Sequence, residues 1–166
     1  NAEPAHLDAV RRLLASAGLD EGALRGPVAY PLLESEAARA GAPTRIMRDC
    51  SGKHAAFLAT AAARGWPLET YLEPDHPIQV AVIERAKTLL GRIEAVGVDG
   101  CGAPTPAAPL RAIAVAFGRA LHEAPDVRTA MNAHPFLVAG TDRIDTAVMR
   151  VAGDLTMKSG AEGIVC

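Results

Sequence analysis

The sequence contains few aromatic residues and few lysines. Aromatic residues make up 4% of the 166 positions, so aliphatic side chains and alanine must build any core. The 17 basic residues include only three lysines, Lys53, Lys87 and Lys158. Lysine can lose its proton at accessible pH and arginine cannot, so each lysine in an arginine-rich chain is a candidate for chemistry. Lys87 falls on a predicted helix face, whereas Lys53 and Lys158 fall in glycine-containing turns beside polar residues.

Long apolar runs and a strong net charge are also absent. Arg, Gly or Pro interrupts the longer apolar segments, so none is long enough to cross a bilayer. The net charge is −2 with both signs interspersed, which argues against a nucleic-acid surface and a polybasic membrane patch. An apolar fraction of 49% is typical of globular proteins. The composition therefore predicts a globular protein that acts on a small molecule, with neither nucleic acid nor membrane as partner.

The cysteine count predicts the redox environment of the protein, and the two chain ends lead to a separate expectation about its completeness. Three cysteines without a signal peptide disfavour a disulfide framework and favour a reducing, cytoplasmic location. The first residue is asparagine, and residues 163–166 resemble a strand that stops halfway. We therefore expect residues 1–166 to be a single segment from the centre of a larger domain, truncated at both ends.

The periodicity of apolar residues predicts a helix-rich α+β protein. Helices are predicted from Pro4 to a stop at Gly18, and at 34–40, 52–64, 78–89, 110–121 and 144–151. A short strand at 95–98 leads into the tight turn Asp99-Gly100-Cys101-Gly102. Two more strands are predicted at 155–158 and 163–166, around a turn at Ser159-Gly160.

A candidate metal site begins at the start of the predicted helix 52–64. Cys50 and Lys53 are three residues apart and would share one helix face. The positive end of the helix dipole is expected to lower the pKa of the Cys50 thiol and to favour neutral lysine. Cys101, between two glycines, can approach another segment closely and supply a second thiolate. Two thiolates and one amine would hold zinc with one position open, as in catalytic zinc sites.

Other interpretations of these residues remain open at this stage. Cys50 and Cys101 could be buried apolar thiols, or a redox pair without a CxxC motif. The Ser-Gly-Lys sequence does not belong to a phosphate-binding loop, because Met47 and His54 occupy the positions that require Gly and Ser or Thr.

Lys158 and the polar residues near position 143 also have simple explanations. On pattern alone, Lys158 is a surface lysine of a strand. Asp142, Arg143 and Asp145 are expected to cap and neutralise the start of the last helix.

Several motifs together resemble one enzyme family. They are Cys50-Ser51-Gly52-Lys53-His54-Ala55-Ala56, Gly65-Trp66-Pro67, Glu69-Thr70-Tyr71-Leu72, Pro74-Asp75-His76-Pro77, Asp99-Gly100-Cys101-Gly102-Ala103-Pro104, Gly140-Thr141-Asp142-Arg143 and Lys158-Ser159-Gly160-Ala161-Glu162-Gly163. In this order they resemble the bacterial asparaginase II family of the Rhizobium etli type, and the similarity runs through the whole chain.

The resemblance implies a fold, an activity and an assembly. The fold would be like that of serine β-lactamases and glutaminases, and the reaction would hydrolyse L-asparagine to aspartate and ammonia by serine-type acyl transfer. A homodimer is expected for the complete protein. Two alternatives remain, namely a glutaminase or other amidohydrolase of this fold, and an inactive remnant that binds metal.

The resemblance also implies roles for individual residues. Zinc would be held by the three residues already considered, Cys50, Lys53 and Cys101. Residues matching positions near the metal or the substrate are Ser51, His54 and Asp99. Lys158 matches a lysine that pairs with a catalytic serine, as the lysine of the β-lactamase Lys-Thr-Gly strand does. The Ser-x-x-Lys nucleophile of the family would lie upstream of residue 1.

Overall fold

The structure, a computed structural model, describes residues 2–166. This part of the chain forms eight α-helices and one two-stranded antiparallel sheet. The helices are α1 (Pro4–Ser16), α2 (Glu34–Arg39), α3 (Ser51–Arg64), α4 (Pro77–Leu90), α5 (Leu110–Glu123), α6 (Pro125–Ala133), α7 (Pro135–Ala139) and α8 (Ile144–Val151). The predicted helix-rich α+β class is confirmed. Across residues 2–166, no helix is both long enough and apolar enough to span a membrane.

The helices predicted from periodicity form where expected, and their ends have local causes. Pro4 occupies the first position of α1, where its missing N–H costs nothing. Gly65 ends α3 in the left-handed conformation, with φ 65°, and its N–H donates to the carbonyl groups of the last turn. The predictions missed α6 and α7, two short helices that each begin at a proline and bury none of their residues. They contain only nine and five residues, so the apolar pattern in each is too short to stand out as a helix.

The sheet pairs β1 (Ala95–Val98) with β2 (Pro104–Ala107) in antiparallel register, with Val98 opposite Pro104. The sequence predicted β1 but not β2, because two prolines in four residues argue against a strand. Only two strands form this sheet, so both are edges, and an edge strand tolerates residues that cannot donate to a ladder. The two strands bring the intervening turn 99–103 into a fixed position.

The chain packs as two compact units. The first unit contains the residues up to 88 together with 93–107, and the second contains 89–92 together with 108–166. The core of the first unit lies around α1 and α3, and its buried residues are Val10, Leu14, Leu24, Ile46, Ala55, Leu58, Tyr71 and Ile78. Burial of a leucine such as Leu58, which is fully buried, stabilises a fold by about 1.5–3 kcal/mol. This packing holds the start of α3 in place.

The second unit consists mainly of α5 to α8, each packed against the next in the chain. Its buried residues are Ala116, Gly140, Asp145, Thr146, Met149 and Met157. Three of these, Asp145, Thr146 and Met149, belong to α8, so this short helix is the best anchored element of the unit.

The strands predicted at 155–158 and 163–166 were wrong. A single antiparallel bridge, between Ser159 and Val165, takes their place. The Gly160 N–H donates to the Ile164 carbonyl at 2.7 Å and closes the turn, and Lys158 and Cys166 exchange two backbone hydrogen bonds. The Leu155 N–H donates to the Ala152 carbonyl at 2.9 Å, so the backbone before the bridge forms a turn.

Candidate functional site

The predicted cysteine and lysine residues meet in the first unit. Cys50 is the residue immediately before α3, and Lys53 lies in the first turn of that helix. Cys101 lies in the turn after β1, which is closed by a hydrogen bond from the Gly102 N–H to the Asp99 carbonyl at 2.8 Å. Gly102 has φ 89°, a conformation that favours glycine. The structure therefore brings together two segments that lie far apart in sequence.

Three side chains form a cluster with metal-ligand character. Cys50, His54 and Cys101 each offer one ligand atom, and these atoms all lie within 4.8 Å of one another. His54 and Cys101 are buried, at 3% and 1% exposure, and Cys50 is half-buried. All three cysteines of the chain are free thiols. Two thiols and an imidazole are donors that zinc prefers.

Lys53 and Asp99 lie beside this cluster. The Lys53 ammonium is 3.3 Å from the Cys101 sulfur and 3.4 Å from Oδ2 of Asp99. The Cys101 thiol is also within 3.4 Å of the same carboxylate oxygen. Lys53, Asp99 and Cys101 thus form a closed triangle of polar contacts, with the lysine and the aspartate each about 40% exposed at their side chains.

His54 is held by a residue that the sequence analysis did not single out. Its Nδ1 lies 2.7 Å from the Tyr71 hydroxyl, and the two rings meet edge to face. The Arg25 backbone N–H donates to the same hydroxyl at 3.2 Å. The other ring nitrogen of His54, Nε2, is buried and has no hydrogen-bond partner among residues 2–166. Nε2 is therefore the ring nitrogen that the described residues leave without a hydrogen bond. Only the motif Glu69-Thr70-Tyr71-Leu72 could have pointed to Tyr71.

The expected pKa shifts of Cys50 and Lys53 were wrong in sign. Burial, reinforced by the neighbouring Cys101, raises the pKa of Cys50 to about 12. Burial opposes the charge of Lys53, but its hydrogen bond to Cys101 and the nearby negative groups outweigh burial and raise the pKa of Lys53. Desolvation and neighbouring charges thus outweigh the helix dipole. A cation would have to displace the Cys50 proton in order to bind its sulfur.

The pKa values of His54 and Asp99 are lowered, in contrast to those of Cys50 and Lys53. Burial lowers the pKa of His54 to about 4, and the positive charges of Lys53 and Arg48 add to the effect. The imidazole is therefore neutral at pH 7, as a metal ligand must be. Burial alone would raise the pKa of Asp99, but the hydrogen bond from Cys101 and the charge of Lys53 lower it. Asp99 is therefore a carboxylate that stabilises the Lys53 ammonium.

Ser51 and Gly26 complete the surroundings of the cluster. Ser51 is buried and lines a small cavity together with Cys50, His54 and Gly26. A Cβ atom on Gly26 would lie 2.9 Å from the Cys101 carbonyl oxygen and 3.4 Å from Cε1 of His54. Glycine at position 26 therefore permits its loop to approach both residues, a role that no sequence pattern indicated.

Lys158 lies in the second unit, exposed, directly before the residue Ser159 that bridges to Val165. Its backbone pairs with Cys166, and its ammonium donates to the Ser159 carbonyl at 2.6 Å. The neighbouring Ser159 donates through its N–H and its hydroxyl to the two carboxylate oxygens of Asp145. The sequence predicted a helix-capping role for Asp145 and not this pairing with Ser159. Asp145 is completely buried.

The fold and the site define a helix-rich α+β protein with a thiol–imidazole cluster that could hold a metal ion. The family model of L-asparaginase II matches residues 1–166, and the chain belongs to this family. No curated protein sequence matches the chain. Family membership confirms the resemblance seen in the motifs. It makes the chain an amidohydrolase-type enzyme by family and indicates an amide such as asparagine as substrate.

Proposed function

We propose that the chain takes part in the hydrolysis of L-asparagine to L-aspartate and ammonia by serine-type acyl transfer. The match of the L-asparaginase II family to all 166 residues carries this proposal. In it, residues 1–166 form one segment of a domain whose fold is like that of serine β-lactamases and glutaminases, and the complete protein is a homodimer.

Zinc is the proposed cofactor, and the donors present fit it. Cys50 and Cys101 supply two thiolates, and Lys53, in contact with the Cys101 sulfur, supplies the third ligand as the resemblance implies. The unpartnered Nε2 of His54 supports an alternative third ligand in the same cluster. Bound zinc would supply positive charge that polarises a carbonyl group or orients the substrate.

The residues around the cluster have supporting roles in this proposal. Asp99 accepts from Lys53 and Cys101 and holds both side chains in place. Tyr71 fixes the ring of His54, as outer hydrogen bonds do for histidine ligands. Ser51, buried beside Cys50, would lie near the substrate in this proposal.

Lys158 is the proposed base of the bond-breaking step. Its neutral amine would take the proton of a serine hydroxyl while the serine oxygen attacks the side-chain amide carbon. The carbon–nitrogen bond then breaks, and ammonia leaves with a proton. Water hydrolyses the resulting ester, releasing aspartate and restoring the serine. Lys158 is exposed, and its ammonium makes one described hydrogen bond, to the Ser159 carbonyl, which leaves the nitrogen accessible to such a partner.

Ammonia release from the complete protein, purified and loaded with zinc, tests this function. We expect hydrolysis of asparagine in preference to glutamine, reduced to a residual rate in Lys158→Ala and retained in Lys87→Ala, in which an exposed helix lysine is removed. A preference for glutamine would favour the glutaminase alternative. Zinc binding without ammonia release from either amide would favour the metal-binding remnant.

A further inference from the structure

Asp145 is a buried carboxylate that the proposed reaction does not yet use. It lies in the first turn of α8 and has no exposed surface. Removing a carboxylate from water is costly, and an apolar residue of similar size often gives equal or greater stability. Packing alone therefore gives little reason for a charged group at this position.

Both oxygens of Asp145 are used by one residue, Ser159. The Ser159 hydroxyl donates to Oδ2 at 2.7 Å, and the Ser159 backbone N–H donates to Oδ1. Ser159 directly follows Lys158, and its carbonyl accepts the Lys158 ammonium at 2.6 Å. Ser159 thus contacts both groups, the buried carboxylate through its N–H and hydroxyl and the Lys158 ammonium through its carbonyl.

The helix that carries Asp145 is itself well anchored. The Thr146 hydroxyl donates to the Pro135 carbonyl at 3.2 Å, and Met149 is only 1% exposed. On the other side of the turn, the backbone of Lys158 pairs with Cys166. Two sets of hydrogen bonds therefore fix this turn. One runs from Ser159 to the buried Asp145, and the other joins Lys158 and Cys166 in the short hairpin.

We propose that Asp145 is a positioning residue that orients the Lys158 amine through Ser159. The inference rests on the proposed function, in which Lys158 exchanges a proton with the nucleophile. The hydrogen bonds from Ser159 and the charge of Lys158 outweigh the effect of burial and lower the pKa of Asp145, so the group is a carboxylate at neutral pH. Each carboxylate oxygen accepts one hydrogen bond from Ser159, whereas an amide in the same place would present a nitrogen that can only donate.

Lysine labelling tests the positioning without any need for catalysis. An amine-acetylating reagent is applied to the full chain, and the rates at Lys53, Lys87 and Lys158 are followed by peptide mass spectrometry. We expect Asp145→Ala to raise the rate at Lys158 by about threefold to tenfold, the factor that corresponds to one net hydrogen bond. The rate at Lys87 should not change. Asp154→Ala, which removes an exposed aspartate of the same unit, is the matched control.

Ser159→Ala provides a milder variant should Asp145→Ala fail to fold. It removes the hydroxyl and keeps the backbone hydrogen bond to Asp145, so we expect a smaller increase at Lys158. Unchanged labelling of Lys158 in both variants, or in Ser159→Ala if Asp145→Ala does not fold, would overturn the inference.

A double-mutant cycle on asparagine hydrolysis by the complete protein then distinguishes positioning from general support of the fold. We expect Asp145→Ala to lower kcat with little change in KM, and to have no further effect in the Lys158→Ala background. An equal loss of kcat in the wild-type and Lys158→Ala backgrounds would overturn the positioning role of Asp145 and leave Lys158 as the proposed base. Full activity in Lys158→Ala alone would instead overturn the proposed role of Lys158.

Discussion

The Tyr71 hydroxyl lies 2.7 Å from Nδ1 of His54, and this contact decides which nitrogen of the imidazole is free. If Nδ1 carries the proton, it donates to Tyr71, and the lone pair is on Nε2, the nitrogen without a partner among the described residues. Tyr71 is buried and also accepts the Arg25 N–H. The tyrosine therefore sets the orientation of the ring and connects the cluster to the core.

Removal of the Tyr71 hydroxyl should weaken metal binding. We expect Tyr71→Phe to lower zinc affinity by roughly tenfold or more, because outer hydrogen bonds to histidine ligands have effects of this size. The loss of stability should be about 1–3 kcal/mol, since the partners of the hydroxyl are left unsatisfied. Competition with a chromophoric chelator measures the affinity. Tyr30→Phe, at a half-exposed tyrosine, is the control, and equal affinities in the two variants would exclude His54 as a ligand held by Tyr71.

The thiol ligands predict a stoichiometry. Elemental analysis should find about one zinc per chain, falling sharply in Cys101→Ser because the site then loses one of its two thiolates. Cys166→Ser removes the free thiol of the second unit and should retain the metal. Undiminished zinc in Cys101→Ser would refute the ligand set. A comparison of Lys53→Met with His54→Gln identifies the third ligand as the residue whose loss lowers affinity more.

Zinc binding should release protons. The raised pKa of Cys50, about 12, means that its thiol is protonated at pH 7 before a cation binds. The ligand must lose this proton, so at least one proton per zinc is expected. Calorimetric titrations in two buffers with different ionisation enthalpies measure the number. Cys50→Ser should release fewer protons, and binding without proton release would show that Cys50 is not a ligand.

His54 should make the metal-free protein sensitive to mild acid. Its folded pKa of about 4 lies below the ordinary value of 6.5, so the unfolded chain binds more protons between these values. The free energy of unfolding should therefore be unaffected above pH 6.5 and fall as the pH drops from 6.5 to 4. The total loss should be roughly 3 kcal/mol, because each pH unit between the folded and unfolded pKa values contributes about 1.36 kcal/mol.

Urea unfolding in the presence of a chelator, at intervals from pH 7 to pH 4, measures this dependence. The slope should be shallower in His54→Gln and unchanged in His122→Gln, in which an exposed histidine is replaced. A parallel pH dependence in wild type and His54→Gln would contradict the assignment.

Gly26 should not tolerate a methyl group. The added Cβ of Gly26→Ala would lie 2.9 Å from the backbone oxygen of Cys101, closer than such contacts normally come. We expect a loss of about 1–3 kcal/mol, as for other overpacked positions, together with weaker zinc binding. Gly41→Ala, where the new methyl group meets nothing within 4 Å, is the matched control. Equal unfolding midpoints would show that the loop moves aside without cost.

Much of the fold and part of the site could be predicted because the signals are local. Cys50 and Lys53 are three residues apart, so a helix start places them together whatever surrounds it. Cys101 could be assigned to the same site from its glycine-flanked turn, but only the packing of β1 against β2 shows the turn in position. β2 itself was missed because its two prolines argue against a strand unless that strand lies at a sheet edge. Whether a strand lies at an edge depends on the whole sheet and cannot be seen in the strand's own sequence.

By itself, the sequence determined the long helices, the family and the residue types of the thiol cluster, since all of these depend on short-range patterns. The tertiary structure decided which side chains meet. His54 contacts Tyr71, which is 17 residues away in the sequence, and Ser159 contacts Asp145, which is 14 residues away. It also decided the charge states. The helix start alone predicted an acidic Cys50 thiol, but burial by residues distant in sequence raises its pKa, because desolvation depends on everything that excludes water.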